Sequence, residues 1–217
     1  MLFETLKRRA LAALYPQHCP LCGGVITAQE DFCEACARRL PEVTYRSSAI
    51  GGFPCSAPLL YRGEYAEAVK RYKFGRRRSY AHALALLIMR AAVSEYDLSE
   101  LDCIACVPMH KRSLRRRGFN QAELLARECA AIAGLPFANL LEKPVRNKPQ
   151  HFLKRSQRAA NVHGVFRVRE GARVANLRVL LIDDIITTGN TLGECARILE
   201  KGGCQSVCCA VVCAAPC

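Results

Sequence analysis

Residues 179–191, with the sequence VLLIDDIITTGNT, decide the fold of this chain. The apolar run 179–182 is typical of a strand buried on both faces of a parallel sheet. Two carboxylates, Asp183 and Asp184, follow at the point where such a strand would leave the sheet, and an amphipathic segment begins at Leu192. This order predicts an α/β fold with a ligand site at the carboxyl edge of its sheet, where open α/β folds bind ligands.

The turn after the acidic pair has the composition of a phosphate site, because backbone N–H groups and threonine hydroxyls would face the anion. A Walker B strand also ends in carboxylates, but the chain lacks the G-x-x-x-x-G-K-[ST] loop that accompanies it. A response-regulator pocket would place its acidic pair early, whereas only the last 33 of 217 residues follow Asp184. A purely structural turn would not need adjacent carboxylates beside three threonines. The predicted phosphate-binding residues are Thr187, Thr188, Gly189, Asn190 and Thr191.

Length and composition fit one ordinary domain with a small appendage. The chain has 217 residues, 51% of them hydrophobic, which is enough for a sizeable core. The 32 lysines and arginines exceed the 19 acidic residues and give a formal net charge of +13. Such an excess favours polyanionic partners, whether nucleotides, nucleic acid or acidic lipid.

The 14 cysteines predict metal binding rather than disulfides. The N-terminus does not resemble a secretory signal, because charges interrupt its apolar residues. No window approaches the roughly 18 apolar residues of a membrane span. We therefore expect a cytoplasmic protein, and in that reducing compartment clustered cysteines more often bind metal.

Two C-x-x-C pairs near the N-terminus predict a small zinc finger. Each pair forms a tight knuckle, and four thiolates complete a tetrahedron around the metal. The alternative is a set of four inert buried thiols. With sulfur in all four positions the site would be structural, and the neighbouring His18 would be a bystander. The predicted ligands are Cys19, Cys22, Cys33 and Cys36.

The remaining sequence divides into elements and connections. Residues 41–58, rich in Pro, Gly and Ser, are predicted to connect a finger unit at 1–45 to a main domain at 58–217. Residues 143–164 are predicted to form a long functional loop. We predict helices over residues 2–15, 65–74, 80–93 and 121–133, and strands over residues 59–63, 103–107, 135–141, 165–168 and 206–212.

Arginine runs interleaved with aromatic residues predict a track for a nucleic-acid backbone with stacking platforms. The alternative is that the arginines are solvated and the rings belong to the core, which for any single ring is the favoured interpretation. The arginines with this predicted role are Arg76, Arg77, Arg78, Arg115, Arg116 and Arg117. The interleaved aromatic residues are Tyr72, Phe74, Tyr80, Phe119 and Phe152.

Residues 179–191 resemble the PRPP-binding signature of type I phosphoribosyltransferases: four apolar residues, two acidic residues, TTG and a threonine. Together with the four-cysteine finger, residues 73–75 (KFG), residues 117–121 (RGFNQ) and residues 150–166, the chain resembles the ComF family over nearly its full length. This family is described as a zinc finger joined to a type I phosphoribosyltransferase fold. The resemblance therefore implies a parallel sheet flanked by helices, with a small N-terminal four-cysteine zinc finger.

The resemblance also implies PRPP as a ligand. By position, Asp183 and Asp184 would hold the ribose and residues 187–191 its 5-phosphate, with magnesium bridging pyrophosphate oxygens and hydroxyls. The pyrophosphate loop would comprise Met109, His110 and Lys111. Arg158 would lie in the flexible loop that closes over PRPP.

Two functions stay open on this basis. In the first, the chain binds PRPP and handles single-stranded DNA during natural transformation or DNA utilisation, with other DNA-uptake proteins as partners. In the second, it transfers phosphoribose from PRPP to an unknown small acceptor. A glutamine amidophosphoribosyltransferase is not expected, because the chain has no room for a glutaminase domain and its first cysteine is Cys19.

Overall fold

The computed structural model of the chain describes residues 16–42, 45–75, 77–144 and 164–215. Its strands are β1 (Gln17–His18), β2 (Val25–Ile26), β3 (Tyr45–Ile50), β4 (Phe53–Ala57), β5 (Leu59–Leu60), β6 (Cys103–Cys106), β7 (Leu141–Glu142), β8 (Arg167–Val168), β9 (Arg178–Ile186) and β10 (Ser206–Ala214). Its α-helices are α1 (Glu34–Ala37), α2 (Gly63–Phe74), α3 (Tyr80–Val93), α4 (Lys111–Arg117), α5 (Gln121–Ala133) and α6 (Asn190–Lys201). The predicted helix 2–15 lies outside these residues, as do Arg76, Phe152 and Arg158.

The central sheet has the strand order β3-β4-β10-β9-β6, and β5 also pairs with β10. Strand β10 runs parallel to β4, β5 and β9, and β6 runs parallel to β9, whereas the β3–β4 pair of this sheet is antiparallel. The two central strands, β9 and β10, carry continuous apolar runs, because parallel strands are covered on both faces of the sheet. The parallel α/β fold predicted from residues 179–191 is confirmed.

Helices cover this sheet and enclose the core. Helices α3 and α5 pack against each other and against the sheet, and α6 packs against β9 and β10. The predicted helices 80–93 and 121–133 are confirmed to the residue. No helix in the described ranges is long and apolar enough to span a bilayer. Fully buried side chains of this core include Tyr72, Leu84, Ile88, Ile104, Leu125 and Leu180.

The prediction that residues 41–58 only connect two units is wrong. Residues 45–50 and 53–57 form the β3–β4 hairpin, and β4 pairs in parallel with β10. Glycines 51 and 52 form the hairpin turn, and Phe53, Cys55 and Ala57 are buried. The Pro- and Gly-rich composition therefore marks a turn and the edge of the sheet rather than a linker.

Other elements also differ from their predictions. The strand predicted over residues 135–141 is reduced to one parallel bridge between Phe137 and Ile104. Strands β7 and β8 instead pair antiparallel with each other, at the two ends of the predicted 143–164 loop. Helix α4 was not predicted, since its arginine run has no apolar periodicity.

Candidate functional site

The acidic pair lies inside β9 and does not follow it, in contrast to the prediction. Strand β9 continues to Ile186, and Asp183 pairs in register with Val211 of β10. Because successive strand residues point to opposite faces, the two carboxylates have different neighbours. Asp184 forms an ion pair with Lys73 of α2, whose Nζ is 2.8 Å from Oδ1, and the two side chains are only 11% and 20% exposed.

Opposing effects act on the protonation of Asp183. Its Oδ1 accepts a hydrogen bond from the backbone N–H of Asp184 at 2.8 Å, which favours the ionised carboxylate. Burial, followed by the charge of Asp184, raises the pKa of Asp183 to about 7, against the opposing charges of Lys73 and Lys143. The pair therefore carries less than its full double charge near neutral pH and would gain charge when a cation approaches.

A cleft of about 320 Å³ opens above this pair. Gly189 lines it and has a φ of +71°, a left-handed conformation that favours glycine, and α6 begins at the next residue. Tyr61 and Lys73 also line the cleft. We call this the acidic cleft. All seven predicted ligand residues line it: Asp183, Asp184, Thr187, Thr188, Gly189, Asn190 and Thr191.

The acidic cleft combines two chemistries that rarely lie together. Carboxylates accept hydrogen bonds from hydroxyl groups, whereas the turn and the N-terminus of the twelve-residue helix α6 favour an anion. A molecule that carries hydroxyls next to a phosphate matches both halves.

The predicted pyrophosphate loop lies at the same edge of the sheet. The N–H of Val107, just past β6, donates to the carbonyl of Ile182 at 3.0 Å, so the loop begins beside the acidic pair. Met109 and Lys111 line a second cleft, of about 450 Å³. His110 instead caps α4, since its Nδ1 accepts from the N–H of Arg112 at 3.1 Å.

Lys143 lines this second cleft and was not singled out by the sequence. Its Nζ lies 4.8 Å from the centre of the Phe166 ring, and burial lowers the pKa of its ammonium. Its positive charge also opposes the raised pKa of Asp183. The only sequence signal for this residue was its position at the start of the predicted 143–164 loop.

Lys73 is another site residue that was not predicted from the sequence. Contacts with Gln121 hold it in position. The side-chain amide of Gln121 donates to the carbonyl of Lys73 at 3.2 Å, and its oxygen accepts from Arg117 at 2.8 Å. The Tyr72 hydroxyl donates to the carbonyl of Gln121 at 2.9 Å. The signal was present in the sequence, because residues 73–75 and 117–121 both belong to the ComF resemblance, but nothing in it showed that they touch.

The structure brings the two arginine runs together. Arg78 donates to the carbonyl of Gly118 at 2.8 Å and lies 5.2 Å from the centre of the Phe119 ring. Within the described residues, no carboxylate forms an ion pair with the arginines of these runs, whereas Arg38, Arg127 and Arg178 each have one. We call these unpaired arginines the basic surface: Arg77, Arg78, Arg115, Arg116 and Arg117.

The four predicted zinc ligands converge. Their sulfur atoms all lie within 4.8 Å of one another, and those of Cys22 and Cys33 are 3.7 Å apart. The first knuckle depends on Gly23, whose φ is +81°, and the N–H of Gly24 donates to the Cys22 sulfur at 3.3 Å. His18 turns its Nδ1 to the Gly23 carbonyl, as expected for a bystander. Four converging sulfurs fit a tetrahedral zinc ion.

The finger is fastened to helix α2. Arg71 donates to the carbonyls of Pro20 and Leu21 beside the first knuckle. Tyr65 donates to the carbonyl of Arg39 at 3.1 Å, just past the second knuckle. Helix α2 ends at Phe74, directly after Lys73, so the finger supports the helix that reaches the acidic cleft.

Comparisons with known proteins match both units. Residues 113–217 match the family model of the phosphoribosyl transferase domain, and residues 10–68 match that of the double zinc ribbon domain. Among the described residues, the four-cysteine cluster is the one group of such ligands. The ribbon match and this cluster together assign a structural zinc to the finger.

Relatives cover most of the chain. The DNA utilization protein YhgH of Salmonella typhimurium is 30% identical over 193 residues, which span 87% of this chain and 80% of that protein. Competence protein F of Haemophilus influenzae is 27% identical over 213 residues, spanning 88% of this chain and 92% of its own. Among solved structures, an adenine phosphoribosyltransferase from Thermoanaerobacter pseudethanolicus is similar with a TM-score of 0.38 at 16% identity, over 65% of this chain and 68% of that one.

Proposed function

Because the chain belongs to the ComF family of competence and DNA-utilisation proteins, we propose that it binds PRPP with magnesium in the acidic cleft and handles single-stranded DNA on its basic surface. One observation supports the proposed binding of PRPP in the acidic cleft. The cleft places two carboxylates beside a phosphate-type turn at a helix N-terminus. Sugar hydroxyls and a phosphate on one small molecule satisfy both.

PRPP fits the cleft as follows. Its ribose hydroxyls donate to the carboxylates of Asp183 and Asp184, and its 5-phosphate accepts from the turn at residues 187–191. Magnesium bound together with PRPP would face the carboxylates of Asp183 and Asp184 and would supply positive charge next to the acidic pair. Lys73 then exchanges its contact with Asp184 for the ligand, and Lys111 and Lys143 provide cations on the pyrophosphate side.

A titration of Mg²⁺–PRPP by calorimetry tests this assignment. The double change Asp183→Asn with Asp184→Asn removes two charged hydrogen bonds, each contributing roughly 1.5–3 kcal/mol, so we expect at least about 100-fold weaker binding. Zinc content should stay at about one ion per chain, because the four cysteine ligands lie in a different part of the chain from Asp183 and Asp184.

The matched control is Glu67→Gln with Glu170→Gln, which removes the same charge from exposed positions outside the cleft. Unchanged PRPP affinity in the aspartate variant would show that the ligand binds elsewhere. Loss of zinc in that variant would show that the two units do not fold independently.

The proposed handling of single-stranded DNA rests on the basic surface and on family membership. Arginines without carboxylate partners attract a phosphate backbone, and the net charge of +13 exceeds what one PRPP molecule requires. The names of the relatives, a DNA utilization protein and a competence protein, agree with this role. We place the protein in the cytoplasm beside other DNA-uptake proteins, where its zinc-binding thiols stay reduced.

An active phosphoribosyltransferase is the second candidate, favoured by the complete motif and by the second cleft that adjoins it. In such a reaction the bond from the ribose C1 to pyrophosphate breaks, pyrophosphate leaves with the electron pair, and a nucleophilic acceptor bonds to C1. The oxocarbenium-like transition state requires water to be excluded. Pyrophosphate release from PRPP with a panel of small acceptors, in the absence of nucleic acid, would favour this activity.

A further inference from the structure

The aromatic residues interleaved with the arginine runs separate into two groups in the structure. Tyr72, Tyr80 and Phe119 are at most 5% exposed and belong to the core. Phe152 lies outside the described residues. Phe74, in contrast, is 69% exposed. The core interpretation therefore holds for three of these rings and fails for Phe74.

Phe74 is surrounded by cations. It is the last residue of α2, next to Lys73, and the guanidinium carbon of Arg117 lies 5.3 Å from the centre of its ring. A cleft of about 370 Å³ is lined by four residues, none of which is acidic. We call them the Phe74 platform: Lys73, Phe74, Arg116 and Arg117.

The side chain of Gln121 holds the Phe74 platform in place. The side-chain oxygen of Gln121 accepts a hydrogen bond from Arg117 at 2.8 Å, and the amide of Gln121 donates to the carbonyl of Lys73 at 3.2 Å. One buried glutamine thus fixes the arginine and the end of the helix that carries the phenylalanine. Such preorganisation reduces the entropy lost when a flat group binds against them.

The chemistry of the platform matches one class of polymer. An exposed aromatic ring and a planar guanidinium stack on nucleobases, and arginines beside them bind phosphates. Bases inside a duplex are already stacked, so an isolated aromatic ring can reach them only in a single strand. An acidic peptide would use the cations but has no flat group for Phe74.

We propose that Phe74 stacks on a base of single-stranded nucleic acid whose phosphates lie along Arg116 and Arg117, with the strand running toward the acidic cleft at Lys73. This inference rests on the proposed DNA handling and goes further, because it assigns a base-contacting residue and a location beside the PRPP site. The bound strand and PRPP then approach each other at Lys73.

The sequence offers a clean optical test, since it contains no tryptophan. In Phe74→Trp the new indole is the single tryptophan, and a base stacked on it should quench its fluorescence. The probe is a twelve-nucleotide thymidine strand, compared with a strand of equal length in which all sites are abasic. We expect quenching by the thymidine strand and little by the abasic one. Val93→Trp, at another exposed apolar position on α3, is the matched control and should not respond.

Affinity measurements on Phe74→Ala and Phe74→Tyr complete the test. By fluorescence anisotropy, Phe74→Ala should bind the thymidine strand roughly tenfold more weakly, and Phe74→Tyr should bind like the wild type, because one stacked base is lost only in the first. The abasic strand should bind both variants equally.

The possible results distinguish the proposed DNA handling from the proposed stacking role of Phe74. Failure of the wild type to bind the thymidine strand overturns DNA handling itself. Wild-type binding with undiminished affinity in Phe74→Ala overturns only the stacking role. Equal weakening for the abasic strand, or equal quenching of Phe74→Trp by poly-glutamate, would reduce the platform to a general polyanion surface and overturn the inference.

Discussion

The acidic cleft and the Phe74 platform meet at Lys73, yet the chain builds them in opposite ways. The ligand residues of the acidic cleft come from one continuous stretch, 183–191, placed by a strand and the helix after it. The Phe74 platform combines the end of α2 with the end of α4, about forty residues apart, and depends on Gln121 to join them. Contiguity made the first visible in the sequence, whereas the sequence indicated Phe74 and the arginines without showing that they meet.

The electrostatics of the two regions differ as well. In the acidic cleft, burial acts on a few charges, raises the pKa of Asp183 and pairs Asp184 with Lys73. Arg116 of the platform, in contrast, is exposed and belongs to a basic surface without carboxylate partners in the described ranges. Buried charges select one small ligand through specific partners, whereas exposed charges attract a repeating anion and respond to salt. The two regions therefore suit a small molecule and a polymer, respectively.

The largest expected difference between them is the response to salt. If about five phosphates contact the basic surface, each contributes about −0.7 to the slope of log affinity against log salt. Raising NaCl from about 50 to 500 mM should then weaken single-strand binding by about 3 × 10³-fold, whereas Mg²⁺–PRPP binding should change far less, because a small ligand has no condensed counterion layer to release. Anisotropy and calorimetric titrations across this range measure both.

Single arginines sharpen the same test. Arg115→Gln should reduce the magnitude of the slope by about 0.7 for the strand and leave PRPP affinity unchanged. Arg38→Gln is the matched control, because Arg38 is exposed on the finger and already paired with Glu34. A flat salt dependence for the strand, or an equal effect of Arg38→Gln, would contradict the assignment of the basic surface.

Removal of zinc should affect the platform more than the cleft. The finger supports α2 through Arg71 and Tyr65, and α2 ends in the platform, whereas the cleft is built mainly on β9 and α6. We expect Cys33→Ser to lose its metal and to weaken single-strand binding about tenfold, the equivalent of one displaced stacking contact. Mg²⁺–PRPP affinity should fall less.

Metal analysis and the two titrations check this result, and in the wild type a chelator followed by added zinc should reproduce and then reverse it. Equal losses of strand and PRPP binding would show that the finger supports the whole domain rather than α2. If neither strand binding nor PRPP binding is weakened, the contacts of Arg71 and Tyr65 with the finger do not affect the Phe74 platform.

Sequence patterns identified the features that form within one short segment of the chain. They did not identify the features that depend on tertiary contacts between distant segments. Helix α3, the four zinc ligands and the cleft residues each follow from spacing within a short segment. The hairpin at residues 45–57 was mistaken for a connection because its turn and edge residues also suit a loop. The ion pair of Lys73 with Asp184 joins residues over a hundred positions apart, and no spacing rule reaches that far.

The expected effect that is most specific to the acidic cleft is its pH dependence. The folded structure raises the pKa of Asp183 to about 7, so this carboxyl is mostly protonated at pH 6 and mostly ionised at pH 8. A ligand that brings magnesium and donates hydroxyls needs the ionised form, so affinity for Mg²⁺–PRPP should rise about tenfold between pH 6 and pH 8. Single-strand binding at the platform should stay nearly flat over this range, because arginines do not titrate there.

Lys73 provides the decisive variant for this prediction. Its positive charge lowers the pKa of Asp183, so Lys73→Met should move the midpoint of the pH profile upward, while Lys70→Met, an exposed lysine on the same helix, should leave it in place. The phosphates of PRPP also titrate near pH 6. Asp183→Asn isolates that contribution, because whatever pH dependence survives in this variant belongs to the ligand. If the profile of Asp183→Asn matches that of the wild type, the Asp183 carboxylate does not control the cleft, and Lys73 serves the platform alone.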